Sequence, residues 1–459
     1  MPLTLRLALG NVGRSIRDYA VYFATLASAT CLLYAFNASD DYLLALPLDE
    51  AQRAVLARAG DVTGAFSVFV VLVFAVLVAY ASRFIVRRRS REFGLMGLLG
   101  MRAPSVALVL AAEGALAGVA ALVAGLAVGV AASPAFGTVA AFVFGVPWRL
   151  AWSVSPAAAL LTCGWFAAIE GGAILFSMVD VLRCPLVELM ARERAPESLA
   201  LSGRRSTRAQ AALAALLLAV VWGTCVVQPG LFVLAILPMG WAAYAATSLV
   251  FRVVATRVPA RARRRATYWE GLRAFVLRQL EGHVSTGCQA LSCTCVLIAC
   301  AVCMISAGLA FSVGQRVTDA AAAAAPADAA LAPIGYVGIF YGEAFLVAAA
   351  AVLALQQVSQ AADGRRAYLT LVELGAEERA VGSVIRAQVG AAFALPAAMA
   401  VAHDLAGLCL IRQLARGVPD EVFLAIAAGA LMGTLALLGL FYLLCVRECR
   451  RLLLRPEGR

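Results

Sequence analysis

The sequence predicts an all-α, polytopic membrane protein with about ten transmembrane helices. Three observations carry this. Of 459 residues, 63% are hydrophobic and 14% are charged, against roughly 45–50% and 25% in an ordinary soluble domain. Mean hydropathy is +0.88. Apolar runs recur along the whole chain at close to the roughly 20 residues that a bilayer crossing needs. This composition excludes a soluble globular enzyme, a disordered chain and a collagen-like chain.

Ten apolar runs read as spans: 19–38, 62–85, 104–132, 154–178, 210–227, 231–250, 286–313, 334–356, 383–414 and 422–446. The first follows Arg14 and Arg17, as a signal peptide would. Thr30 is a poor residue before a lipoprotein-type Cys31, and the run is near spanning length, so it reads as an uncleaved anchor. Gln228, Pro229 and Gly230 turn the fifth span tightly into the sixth, making a hairpin.

Arginine sets the orientation. The segments 83–102, 183–208, 252–278 and 447–459 are Arg-rich, and the alternate loops are not; the first of these carries Asp40, Asp41, Asp49, Glu50 and Asp61. Basic residues accumulate in cytoplasmic loops, so both termini are expected in the cytoplasm. The net charge of +11 then reflects topology, and no nucleic-acid partner is expected. The run Arg261, Arg263, Arg264 and Arg265 reads as a retained cytoplasmic loop or as a contact with anionic lipid headgroups.

Every basic residue apart from two histidines is arginine, so no phosphate-binding loop of the G-x-x-x-x-G-K-[ST] type can form. Most of the 12 cysteines sit in apolar runs and read as small hydrophobes. No catalytic triad or zinc spacing is present, and His283 and His403 alone exclude a histidine-rich metal site. No catalytic, cofactor or metal residues are expected.

The chain also repeats itself. Arg91, Glu92, Phe93, Gly94, Met96, Leu99 and Gly100 follow the second span; Arg366, Tyr368, Leu371, Leu374 and Gly375 follow the eighth. A constant offset of 275 aligns Arg91 with Arg366, Phe93 with Tyr368, Met96 with Leu371, Leu99 with Leu374, Gly100 with Gly375 and, further on, Glu113 with Gln388. Upstream, 9–12 resembles 277–280 at an offset of 268. Two four-helix units are therefore expected, at 1–200 and 256–459, with a linking hairpin at 201–255. The apolar spacing in each repeated segment suits a short amphipathic helix, stopped by its glycine. Such a helix is either a lever beneath the membrane, joined to the following span, or a simple interfacial anchor.

Residues 91–94 with 98–101, followed by a Gly-rich span, resemble the FtsX-like permease domain of ABC transporters. Gln356, Gln357, Arg366, Tyr368, Gln388, Pro396 and His403 extend the resemblance to the second copy, which is similar to the ten-span bacitracin-resistance-type permeases. The resemblance implies a permease subunit in the bacterial plasma membrane, with no cofactor of its own. A separate ABC-type ATPase, in two copies, would bind ATP and Mg and push on the coupling segments 91–100 and 366–375. The cargo would be a peptide antibiotic or a lipid-like molecule, exported or removed from the membrane, and a sensor histidine kinase is a further partner in relatives. One departure is that residues 314–333 are too short for the large extracellular domain of those relatives.

Ionisable residues within spans are costly and carry a functional expectation. Glu343, His403 and Asp404 form a possible intramembrane polar site, for substrate or for helix pairing. Glu113 and Arg386 lie near span ends, and Glu170 is expected to snorkel partly. Two other classes stay open: a proton-coupled secondary transporter using Glu343, His403 and Asp404, and a non-transporting membrane regulator or sensor scaffold.

Overall fold

A computed structural model describes residues 16–38, 89–144, 154–185, 204–314 and 332–454, with isolated runs of one to three residues within 71–86 and 187–190. Most of the second expected span, the acidic first loop, the pre-span element 9–12 and most of the interval 314–333 lie outside the described residues. Among the described residues these α-helices follow one another: α1 (Ile16–Asn37), α2 (Ala103–Phe144), α3 (Pro156–Arg183), α4 (Arg204–Val227), α5 (Pro229–Leu234), α6 (Ile236–Ala262), α7 (Arg273–Leu309), α8 (Ala332–Glu373), α9 (Glu378–Leu414) and α10 (Asp420–Leu454). Residues 89–98 are helical too. Among the described residues, eight helices are long and apolar enough to cross a membrane, and the apolar part of α1, Tyr22–Ala35, is shorter. The chain is an all-α, multi-pass membrane protein.

Its contacts divide it into two compact units, Met1–Ala195 with Phe311–Tyr341, and Pro196–Ala310 with Gly342–Arg459. In the first, α1 packs most extensively on α2, and α3 covers both. Small residues make this possible. A Cβ on Gly125 would stand 2.6 Å from the Ala27 carbonyl oxygen, and one on Gly129 would stand 2.8 Å from the Tyr34 ring. Three turns earlier, Gly114 and Gly118 face Ile174 and Glu170 of α3 instead. The two Gly-x-x-x-Gly motifs of α2 thus serve two different neighbours, as close helix packing in membranes requires. Ser155 caps α3 by accepting from the Ala158 N–H at 3.1 Å, and Pro156 occupies its first turn.

The second unit repeats the pattern of neighbours. Here α7 packs most extensively on α9, and α10 touches both. The helices α4 and α6 pack together and lean on α7 and α9. Their connection is not the tight turn the sequence suggests. Pro229 opens a six-residue helix, α5, which breaks at Ala235 before α6 begins. Pro at a first helical position favours the helix it starts over the turn it ends.

Candidate functional site

The helix through residues 89–98 stops at Gly100, whose φ is +92°. Its N–H bonds the Gly97 carbonyl at 3.1 Å, and the Met101 N–H reaches back to the Met96 carbonyl at 3.0 Å. These two bonds define a Schellman ending. At 275 residues further on, α8 ends in the same way: Gly375 has φ +87°, its N–H bonds Val372 at 3.0 Å, and the Ala376 N–H bonds Leu371 at 3.0 Å. A Cβ on either glycine would meet nothing within 4 Å. Glycine is therefore needed there for its left-handed backbone and not for space.

Both ends present leucine outward. Leu99 is 86% exposed and Leu374 is 79% exposed, with Leu95, Leu98, Leu369 and Val372 beside them. Arg91 and Arg366 are exposed too, and Met96 and Leu371 are half-buried. The segment 366–373 differs from expectation in one respect. It is not a separate short helix but the last turns of α8, a helix of 42 residues whose apolar span ends near Val358.

The inner faces of both ends are fastened to the helix that follows. In the first, Phe93 is buried, and the Gly94 backbone lies against Met190, which a Cβ would meet at 2.8 Å. Arg89, 1% exposed, pairs with Glu113 of α2, 0% exposed, and with Glu92 one turn along. Its guanidinium also stands 5.4 Å from the Phe93 ring centre. In the second, Tyr368 is buried and donates from its hydroxyl to Gln388 Oε1 of α9. Phe275 meets the Tyr368 ring edge-on at 5.6 Å. Burial pushes the Tyr368 phenol above the ordinary tyrosine range, so it stays a neutral donor. Phe93 and Tyr368 hold matching positions, as do Glu113 and Gln388. The joint is ionic in one copy and neutral in the other.

The three intramembrane candidates separate. Glu343 lies on α8 with an exposed side chain. His403 and Asp404 are successive residues of α9, so they point to different neighbours. The His403 Nδ1 accepts from Trp222 Nε1 at 3.1 Å. This leaves Nε2 to donate to Thr247 Oγ1 at 2.9 Å, and Thr247 in turn donates to the Ala243 carbonyl at 2.7 Å. The imidazole is thus neutral with both nitrogens engaged. Asp404 is buried and accepts from the Cys303 thiol at 3.6 Å, while its Oδ2 has no partner among the described residues.

Two functional-looking contacts were not anticipated. Glu170 does not snorkel: it is buried, and the Tyr22 hydroxyl donates to its Oε1. Arg89 was not separated from Arg87 and Arg88, although Glu92 at i+3 and Glu113 on the next span are its visible partners in the sequence.

The FtsX-like permease C-terminal family matches residues 64–179, which include the first helix end, Glu113 and all of α3 up to Val179. The bacitracin export permease protein BceB of Bacillus subtilis (strain 168) is 29% identical over 126 residues, 27% of this chain and 18% of that protein. The protein of the same name from Halalkalibacterium halodurans is 29% identical over 127 residues, 28% of this chain and 19% of that one. The chain thus spans under a fifth of the length of these relatives. Residues 64–179 of this multi-pass membrane protein are therefore similar to an FtsX-like permease domain.

Proposed function

We propose that this chain is the membrane-spanning permease subunit of an ABC transporter. A separate ATPase, in two copies, binds ATP and Mg and moves the helix ends at 91–100 and 366–375. The chain reads as two four-helix units, 1–200 and 256–459, joined by the hairpin 201–255. It sits in a bacterial plasma membrane with both termini in the cytoplasm. One observation carries this reading: two identically terminated helix ends, 275 residues apart, each exposing a leucine at its tip while its buried face is bonded to the next span. A force applied to either tip is delivered to α2 or α9 through Arg89–Glu113 or Tyr368–Gln388.

The cargo is a peptide antibiotic or a lipid-like molecule, exported or removed from the membrane, by likeness to relatives named as bacitracin export permeases. The short interval 314–333 favours cargo that meets the helices laterally. A sensor histidine kinase is a further partner of this reading. Proton coupling through His403 gains nothing from the geometry, because both ring nitrogens are already bonded.

The test is co-purification of the full chain with its co-expressed ABC-type ATPase. Leu99→Asp and Leu374→Asp, at tips that are largely exposed among the described residues, are expected to lose the ATPase while keeping wild-type thermal unfolding. Wild-type recovery of the ATPase by both variants would refute the coupling assignment.

A further inference from the structure

The connection between α6 and α7 carries an unusual surface. Residues 257–281 hold seven arginines against two glutamates. The connection is not a slack loop. Arg263 N–H bonds Pro259 at 3.0 Å, Arg265 bonds Ala262 at 3.0 Å, and Tyr268 bonds Arg265 at 3.0 Å, leading into a 3-10 turn at Ala266–Trp269. Tyr268 is buried and holds Trp269 edge-on at 4.9 Å, yet Trp269 itself is 78% exposed. Both glutamates are engaged: Glu281 by Arg263, and Glu270 by Arg273 at 2.9 Å. Arg261, Arg264 and Arg265 remain exposed, with no carboxylate in ion-pair range among the described residues.

Position decides what such a surface meets. The helix α6 is a candidate span that ends at Ala262, with Arg261 in its last turn. The apolar run of α6 ends near Val250, and Arg252 and Arg257 come before the helix stops, so the arginines and Trp269 stand beyond the hydrocarbon, on the headgroup side of the span. Tryptophan is enriched at the membrane–water boundary because its ring is apolar and its N–H is polar. Guanidinium groups offer paired donors that match phosphate oxygens. We infer that Arg261, Arg264, Arg265 and Trp269 form a preformed binding surface for anionic phospholipid headgroups, which fixes the depth of the α6–α7 junction. An acidic protein surface would account for the charge but not for an exposed tryptophan at the end of a span.

Near an anionic membrane surface each arginine shifts binding by about fivefold. The full chain in detergent micelles, offered equal phosphatidylglycerol and phosphatidylcholine, is expected to carry mostly phosphatidylglycerol adducts by native mass spectrometry. R264Q/R265Q is expected to lower that preference by about tenfold or more, with an unchanged unfolding temperature. R447Q/R451Q removes the same charge from the exposed end of α10 and is expected to change it less than about threefold. Equal losses in the two variants would mean that only overall charge is read, and would overturn the proposal. So would an unaltered lipid preference in R264Q/R265Q, including the case in which that variant instead loses a protein partner on co-purification.

Discussion

The buried pair Arg89–Glu113 offers the sharpest test of how the first helix end is held. Both side chains are sealed from solvent, at 1% and 0% exposure. Breaking a buried ion pair from one side costs about 3–5 kcal/mol, because the remaining charge stays buried. The two sides are unequal here. Glu113→Leu leaves Arg89 with Glu92, which is 45% exposed, so its cost falls near the lower bound, about 3 kcal/mol. Arg89→Met takes from Glu113 the cation that faces it, and falls near the upper bound of about 5 kcal/mol. The double variant replaces the pair by apolar groups and should cost less than either alone, since a well-packed hydrophobic substitute for a buried pair is often neutral. A complete cycle of thermal unfolding in detergent reads this out, with shifts on the order of 10 °C for the singles. Additive losses in the double variant would show that the two residues do not depend on each other, and the proposed joint between 89–100 and α2 would fail.

Other outcomes follow from the same geometry. Tyr368→Phe removes the donor to Gln388 and should lower stability by about 1 kcal/mol, measured by the same unfolding assay. Gly100→Ala and Gly375→Ala should each cost about 1–2 kcal/mol through backbone strain alone, and should raise amide exchange at 96–101 and 371–376. Gly125→Ala forces a Cβ to 2.6 Å from the Ala27 carbonyl oxygen and should cost about 1–3 kcal/mol, whereas Gly164→Ala, with open space around it, should stabilise by about 0.5–1 kcal/mol. His403→Gln should cost about 1 kcal/mol and leave the pH profile of ATPase stimulation unchanged; loss of that profile would assign His403 a proton-carrying role.

Much of the fold was legible because run length and glycine placement are local signals. The spans were visible as apolar runs, and the helix ends at Gly100 and Gly375 as leucines followed by a glycine. Other features were hidden for physical reasons. The fall in hydropathy after Gln356 marks where the bilayer ends, not where α8 ends. Nothing in 357–373 breaks a helix, so α8 continues to Glu373. Arg89 looks like its arginine neighbours in the sequence, and its pairing with a carboxylate 24 residues away is visible only in the structure. Tyr22 and Glu170 are 148 residues apart; a tyrosine at the start of a span reads as an interfacial residue until the packing of α1 on α3 is known. His403 and Asp404 looked like a pair because they are adjacent, although adjacency on a helix sends side chains to different faces.

Contact between the leucine tips and a nucleotide-hydrolysing partner is best measured by photo-crosslinking. A photoreactive amino acid at Leu99 or at Leu374 should yield adducts with the co-expressed ABC-type ATPase, while the same probe at Leu160, 77% exposed on α3, should give none. Adducts absent from both tips, or formed equally well from Leu160, would contradict the assignment of these helix ends as the places where force enters the membrane domain.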